Sequence, residues 1–180
     1  AVYIYTRSGT TWSKQAYIKG NTIASLGVGA GLDLSGDGNT LAVGYHNAGY
    51  DAYIYVRAGA VWSYQANIPA ILSPARSLRL SNDGNTLIAG HSPLYIVNPY
   101  EYGTVRIWTR SGTTWTQRPA LNSPGASNNS YADRVDLSAD GQVIAVSAWS
   151  EADITGTVMA GAVYLYRYLA GSWLPEATLI

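Results

Sequence analysis

The chain has 180 residues, a formal net charge of zero and only 12% charged residues, so neither a nucleic-acid partner nor an acidic tract is expected. It has no cysteine, which excludes disulfides and thiolate metal centres. No apolar run approaches the roughly 18 residues of a membrane helix, so no membrane insertion is expected. No signal peptide opens the chain. Ala1 already stands inside a strand pattern, as in a processed or excised chain. Tyrosine (15) and tryptophan (6) are abundant while phenylalanine is missing, which suits strands that are partly wet.

In chain order, residues 1–7 alternate strictly, with Val2 and Ile4 on one face and Tyr3 and Tyr5 on the other. Both faces are large and apolar, which predicts a strand packed on both sides. Ser8-Gly9 turns the chain, and residues 11–18 read as a more polar, outer strand. A linker follows over 19–25. Residues 32–44, Leu-Asp-Leu-Ser-Gly-Asp-Gly-Asn-Thr-Leu-Ala-Val-Gly, then read strand, tight turn, strand. In that turn Asp37 can bond back to its own backbone and Gly38 accepts a positive φ.

This hairpin recurs at 78–90 and again at 135–147, with Gly84 and Gly141 where the first copy has Gly38. Between copies the tyrosine-rich strand and its tryptophan partner return, at 52–68, 104–117 and 162–180. The marker residues Trp12, Trp62, Trp115 and Trp173 are 50, 53 and 58 residues apart. A period near 50 built of four short strands indicates an all-β, propeller-like array of four-stranded antiparallel blades. No stretch reads as a helix. The 180 residues form a single repeat domain with units at about 1–51, 52–103 and 104–161 and a partial unit at 162–180. Counted as strands, this is three full blades plus a two-stranded partial blade.

Three segments carry a family resemblance: Gly-Ala-Val-Tyr-Leu-Tyr at 161–166, Arg-Ser-Gly-Thr-Thr-Trp at 7–12 and 110–115, and Leu-Ser-Gly-Asp-Gly-Asn-Thr-Leu-Ala-Val-Gly at 34–44. They resemble FG-GAP-type repeats, the blades of the integrin alpha-chain propeller and of related bacterial surface proteins. The resemblance covers nearly the whole chain and implies the order hairpin strands A and B, then the tyrosine strand C, then the tryptophan strand D. It implies an extracellular or cell-surface location. The family's Phe-Gly pair is replaced here by Ser25-Leu26-Gly27, Arg76-Ser77 and Ala132-Asp133, and its Gly-Ala-Pro element by other residues.

The resemblance also implies a calcium turn, for which the candidates are Asp33 and Asp37 in the first copy and Asp136 and Asp140 in the third. Copy two has Arg79 in place of the first ligand, and all three copies lack the last Asp. Calcium takes about six to eight oxygens, so a self-bonded turn is expected and no cofactor is assigned. His46 and His91 lie one position out of register with each other. Asp51, Glu101, Glu151 and Asp153 fall in separate repeats, so neither a histidine site nor a carboxylate pair is expected. Asn128-Asn129-Ser130 matches a glycosylation sequon, which chance explains.

The repeats differ most in the loops after strand B. Tyr95, Tyr100, Tyr102 and Trp149 lie there and are the candidate ligand-binding residues, rigid aromatics on varied loops. The tyrosines serve equally well as covers for the adjoining blade. The expected function is a non-catalytic extracellular structural or adhesive module. It binds protein or glycan through its loops and self-associates or belongs to a longer repeat chain. The alternative is a carbohydrate-binding lectin, and a glycosidase or lyase comes third.

Overall fold

The computed structural model describes residues 1–19, 28–45, 51–69, 77–91, 103–124, 130–150 and 160–180. These hold fourteen strands: β1 (Val2–Ser8), β2 (Thr11–Ile18), β3 (Val28–Leu34), β4 (Thr40–Tyr45), β5 (Ala52–Ala58), β6 (Val61–Ile68) and β7 (Ser77–Leu80) come first. β8 (Thr86–His91), β9 (Thr104–Ser111), β10 (Thr114–Asn122), β11 (Tyr131–Leu137), β12 (Val143–Ala148), β13 (Ala162–Leu169) and β14 (Ser172–Leu179) follow. Each sheet is a run of consecutive antiparallel strands: β1–β2 form blade 1, β3–β6 blade 2, β7–β10 blade 3 and β11–β14 blade 4. No helix is present among the described residues. The architecture is all-β, with propeller-like blades of four antiparallel strands, the order expected from the repeats.

The core is three apolar layers between blades. Val2, Ile4 and Ile18 of blade 1 meet Leu41, Val43 and Tyr55 of blade 2. Ile54 and Ile68 of blade 2 meet Leu78, Leu87 and Trp108 of blade 3. Ile88, Val105 and Ile107 of blade 3 meet Tyr131, Ile144 and Val146 of blade 4. A strand between two such layers is buried on both faces, which is why Leu41-Ala42-Val43 and Leu87-Ile88-Ala89 are continuous apolar runs. The D strands lie at the outer edge of their sheets and carry the polar residues.

The three A–B hairpins turn identically. Gly38, Gly84 and Gly141 have φ of 66°, 68° and 69°, as their recurrence predicts. In each, the serine hydroxyl (Ser35, Ser81, Ser138) donates to the aspartate two residues on and accepts the N–H that opens strand B. The turn tips of successive blades are tied by backbone: Gly36 N–H donates to Asn82 C=O at 2.9 Å, and Asn82 N–H to Ala139 C=O at 2.9 Å.

One expectation needs correction. β1 is covered on one face only: Tyr3 is 56% exposed, and Tyr5 and Tyr17 beside it are equally open. The Val2–Ile4 face packs on blade 2, but no blade among the described residues covers the tyrosine face. β1 pairs with β2 and with no strand of the third full blade.

Candidate functional site

Each D strand carries a bulge, and three of the four bulges place one polar side chain. A bulge leaves one residue unpaired and re-aims its side chain. In β2 that residue is Gln15, since Ile4 pairs with Ala16 and Tyr5 with Lys14. In β6 it is Gln65. Gln15 Oε1 accepts from Trp62 Nε1 at 3.1 Å and from Arg57 Nη1 at 3.3 Å, both in the following blade. Gln65 Oε1 accepts from Arg110 Nη1 at 3.2 Å, again one blade on. Each arginine also lies over the tryptophan of its own blade, at 5.7 Å for Arg57–Trp62 and 5.4 Å for Arg110–Trp115. Each Nε donates to the asparagine that closes the turn, Asn39 or Asn85. A bulged glutamine, an arginine and a tryptophan thus lock blade 1 to 2 and blade 2 to 3.

The third interface lacks this lock. In β10 the irregularity spans Pro119 and Ala120, which have no side-chain amide. In β13 one extra residue before the turn puts Tyr168, not Arg167, in the ladder beside Gln142, whose carbonyl accepts its N–H at 2.8 Å. Arg167 turns instead to Glu176, the bulged residue of its own blade, at 2.8 Å. A groove of about 180 Å³ opens where the glutamine would lie, lined by Arg118, Leu121, Tyr168 and Trp173 with Pro119 and Ala120 at its floor. Tyr168 and Trp173 are tilted rings 5.3 Å apart. Arg118 Nε donates to Thr109 Oγ1 at 2.7 Å, which fixes its side chain over the strand.

Of the residues singled out in the sequence, Tyr95, Tyr100 and Tyr102 lie outside the described residues. So do His46, Glu101, Glu151, Asp153 and Asn128. Trp149 follows β12 and is 56% exposed, with Gly161 against its backbone. His91 is buried on β8 opposite Thr104. Ser130 of the sequon is buried, and its hydroxyl accepts the Ser150 N–H at 2.8 Å.

The four calcium candidates divide between two structural tasks. Asp37 and Asp140 accept from the serine hydroxyls and backbone of their own turns. Asp33 accepts the Leu80 N–H of the next blade at 2.8 Å, and Asp136 pairs with Arg79 of the preceding blade at 3.1 Å. No three His, Asp or Glu side chains converge among the described residues.

The Ser35 hydroxyl and then the Asn39 amides hold the Asp37 carboxyl below its ordinary range, and Ser138 and Gln142 do the same for Asp140. Burial pushes Asp83 up, but hydrogen bonds from Ser81 and Asn85 and the charge of Arg110 outweigh it. Protons therefore bind the unfolded chain before these folded turns. The stability that the turns contribute is complete above the unfolded carboxylate value of about 3.9 and is lost as pH falls through the lower folded values. Urea midpoints should drop on titration from about pH 5 to pH 2, and Asp83→Asn should make that limb shallower. An identical limb in the variant would contradict this account.

No family model matches the chain, and no curated protein matches it. Among solved structures it is similar to one described as a eukaryotic initiation factor, at 10% identity and a TM-score of 0.57, over 83% of this chain and 32% of that one. It is similar also to a structure from an analysis of two prolyl endopeptidases, at 15% identity and a TM-score of 0.57, over 99% of this chain and 26% of that one. The chain thus spans about a quarter to a third of the length of these structures. At such identities the likeness carries the fold alone, a β-propeller-like one.

Proposed function

We propose that this chain is a non-catalytic structural or adhesive module, extracellular or at a cell surface, that stacks its open blade faces on those of a second copy and binds protein or glycan between its strands and loops. The observation that carries this is a difference between equivalent leucines. Leu78 and Leu80 of β7 are 1% and 7% exposed, covered by blade 2, while Leu32 and Leu34 of β3 are 49% and 44% exposed. Among the described residues blade 1 has a C–D pair and no A–B hairpin, and none of them covers the inner half of blade 2. Covering a leucine contributes about 1.5–3 kcal/mol.

The occupant that fits is another blade of the same repeat, because blades already cover the equivalent face at two interfaces within this chain. The opposite face, on blade 4, exposes Val163 and Leu179 where blade 2 presents Ala52 and Ile68 to its neighbour. Two unlike open faces make a head-to-tail contact, which closes into a ring or continues as a fibre according to the rotation between copies. The extracellular location rests on the resemblance of the repeats to surface-protein blades. The non-catalytic reading is supported by Asp33, Asp37, Asp136 and Asp140, which serve turns and blade contacts.

Sedimentation velocity tests the assembly. The wild-type chain should associate as concentration rises, and Leu32→Glu with Leu34→Glu should return it to a monomer with an unchanged melt. A wild-type chain that stays monomeric at all concentrations would refute it. The lectin alternative is favoured by the Tyr168–Trp173 pair, and a glycan array separates it from protein adhesion.

A further inference from the structure

We infer that the groove between β10 and the β13–β14 turn is a binding site for a single sugar ring bearing a carboxylate, a hexuronate-type residue. It rests on the binding-module reading but not on assembly, which sedimentation reads separately.

The three blade interfaces differ at one place. The first two fill this position with a glutamine amide, an arginine and a tryptophan. The third has lost the glutamine to Pro119–Ala120 and the arginine to Tyr168, so the tryptophan stands beside open space. An indole acceptor does not distinguish the interfaces, since Gln15 accepts from Trp62 Nε1 while the buried Trp115 Nε1 has no partner among the described residues; the open space beside Trp173 does. The space, about 180 Å³, is smaller than the roughly 300–1,000 Å³ of pockets for drug-sized ligands. It suits one ring rather than an extended chain.

The lining selects the chemistry. Two tilted aromatic rings present the flat apolar faces on which the C–H face of a pyranose packs. The Trp173 N–H is a donor for a ring hydroxyl. Arg118 holds its Nε on Thr109 and lines the groove. A guanidinium fixed in this way prefers a planar carboxylate, which it binds through two parallel hydrogen bonds. Of the carboxylates near the turn among the described residues, Glu176 is taken by Arg167 and Asp140 by Ser138 and Gln142. Arg118 is therefore the cation left to meet an anion in the groove.

The test is titration of the full chain with methyl glucuronide, methyl glucoside and an acidic aromatic tetrapeptide, read by Trp fluorescence and by calorimetry. The uronide should bind, and the glucoside should bind at least about tenfold more weakly, as expected for loss of a charge-assisted pair. Arg118→Gln should equalise the two sugars. Ala120→Gln, which returns an amide to the bulge, should fill the groove and remove uronide binding with the melt preserved. Failure of the uronide to bind, or equal binding of uronide and glucoside by the wild type, overturns the inference. Tighter binding of the peptide than of the uronide overturns it too, in favour of a protein ligand.

Discussion

Gly90→Ala is expected to destabilise the chain by about 3 kcal/mol, the upper end for overpacking. Gly90 lies in β8 between Ser77 and Val105, on the face that meets blade 4. A methyl group there would press into the Ala132 carbonyl oxygen well inside van der Waals distance, and would reach Val135 Cγ1 at 3.0 Å. That carbonyl cannot swing away. Ala132 is itself held at φ 65°, a left-handed conformation uncommon for alanine, and the residue is fully buried. Gly103 meets the Tyr131 backbone in the same way, so the start of β11 runs across a floor of two glycines. The control is Ser147, which occupies the matching place on β12. Its blade has no following neighbour among the described residues, and its hydroxyl has room to accept the Arg134 N–H at 3.0 Å. Ser147→Ala should cost about 1 kcal/mol, the worth of one hydrogen bond. Urea denaturation of the two variants checks the contrast. A Gly90→Ala loss as small as that of Ser147→Ala would mean that blade 4 shifts freely on blade 3.

The contrast also shows which parts of the fold are legible in the sequence. Strand alternation and the thrice-repeated turn depend on residues close in sequence, so the fourteen strands and the positive φ of Gly38, Gly84 and Gly141 follow from them. Burial of a given strand face depends on what lies beside it. Leu32 and Leu78 have the same local pattern, yet one is half exposed and the other sealed, because among the described residues only the second has an A–B hairpin on the preceding blade. The two-sided packing expected of β1 fails because no blade among the described residues lies against its tyrosine face.

The groove was hidden for a different reason. Gln15 and Gln65 occupy equal distances after their tryptophans, so a recurring Trp-x-x-Gln was available as a signal. What it does requires the bulge, which is a matter of pairing between strands and not of residue type. The loss of that motif at Arg118 and Pro119 is visible in the sequence once its task is known. The candidate loop aromatics Tyr95, Tyr100, Tyr102 and Trp149 could be chosen on chemistry alone, and of these only Trp149 falls among the described residues.

Tyr131→Ala should have the largest effect of any single substitution, a loss of about 3–5 kcal/mol. Tyr131 opens β11, is fully buried and is the largest side chain sealed among the described residues. Its ring meets Tyr164 edge-on at 5.6 Å, and its hydroxyl donates to Tyr166 Oη at 2.9 Å. Burial, and then the hydrogen bond to Tyr166, raise its own titration far out of reach, so it remains a neutral donor at every pH the fold survives. Truncation removes the ring, leaves a cavity between blades 3 and 4 and strands the Tyr166 hydroxyl. Tyr131→Phe keeps the ring and removes the donor alone, for a loss of about 1–2 kcal/mol. The pair of variants also reports on the groove. Its aromatic wall belongs to blade 4 and Arg118 to blade 3, so their spacing depends on the interface that Tyr131 fills. Tyr131→Phe should keep uronide binding, and Tyr131→Ala should weaken it along with the melt. Urea midpoints and the Trp fluorescence titration measure the two effects on the same samples. Equal stability of the alanine and phenylalanine variants would show that the ring contributes nothing beyond its hydroxyl, contrary to the packing described.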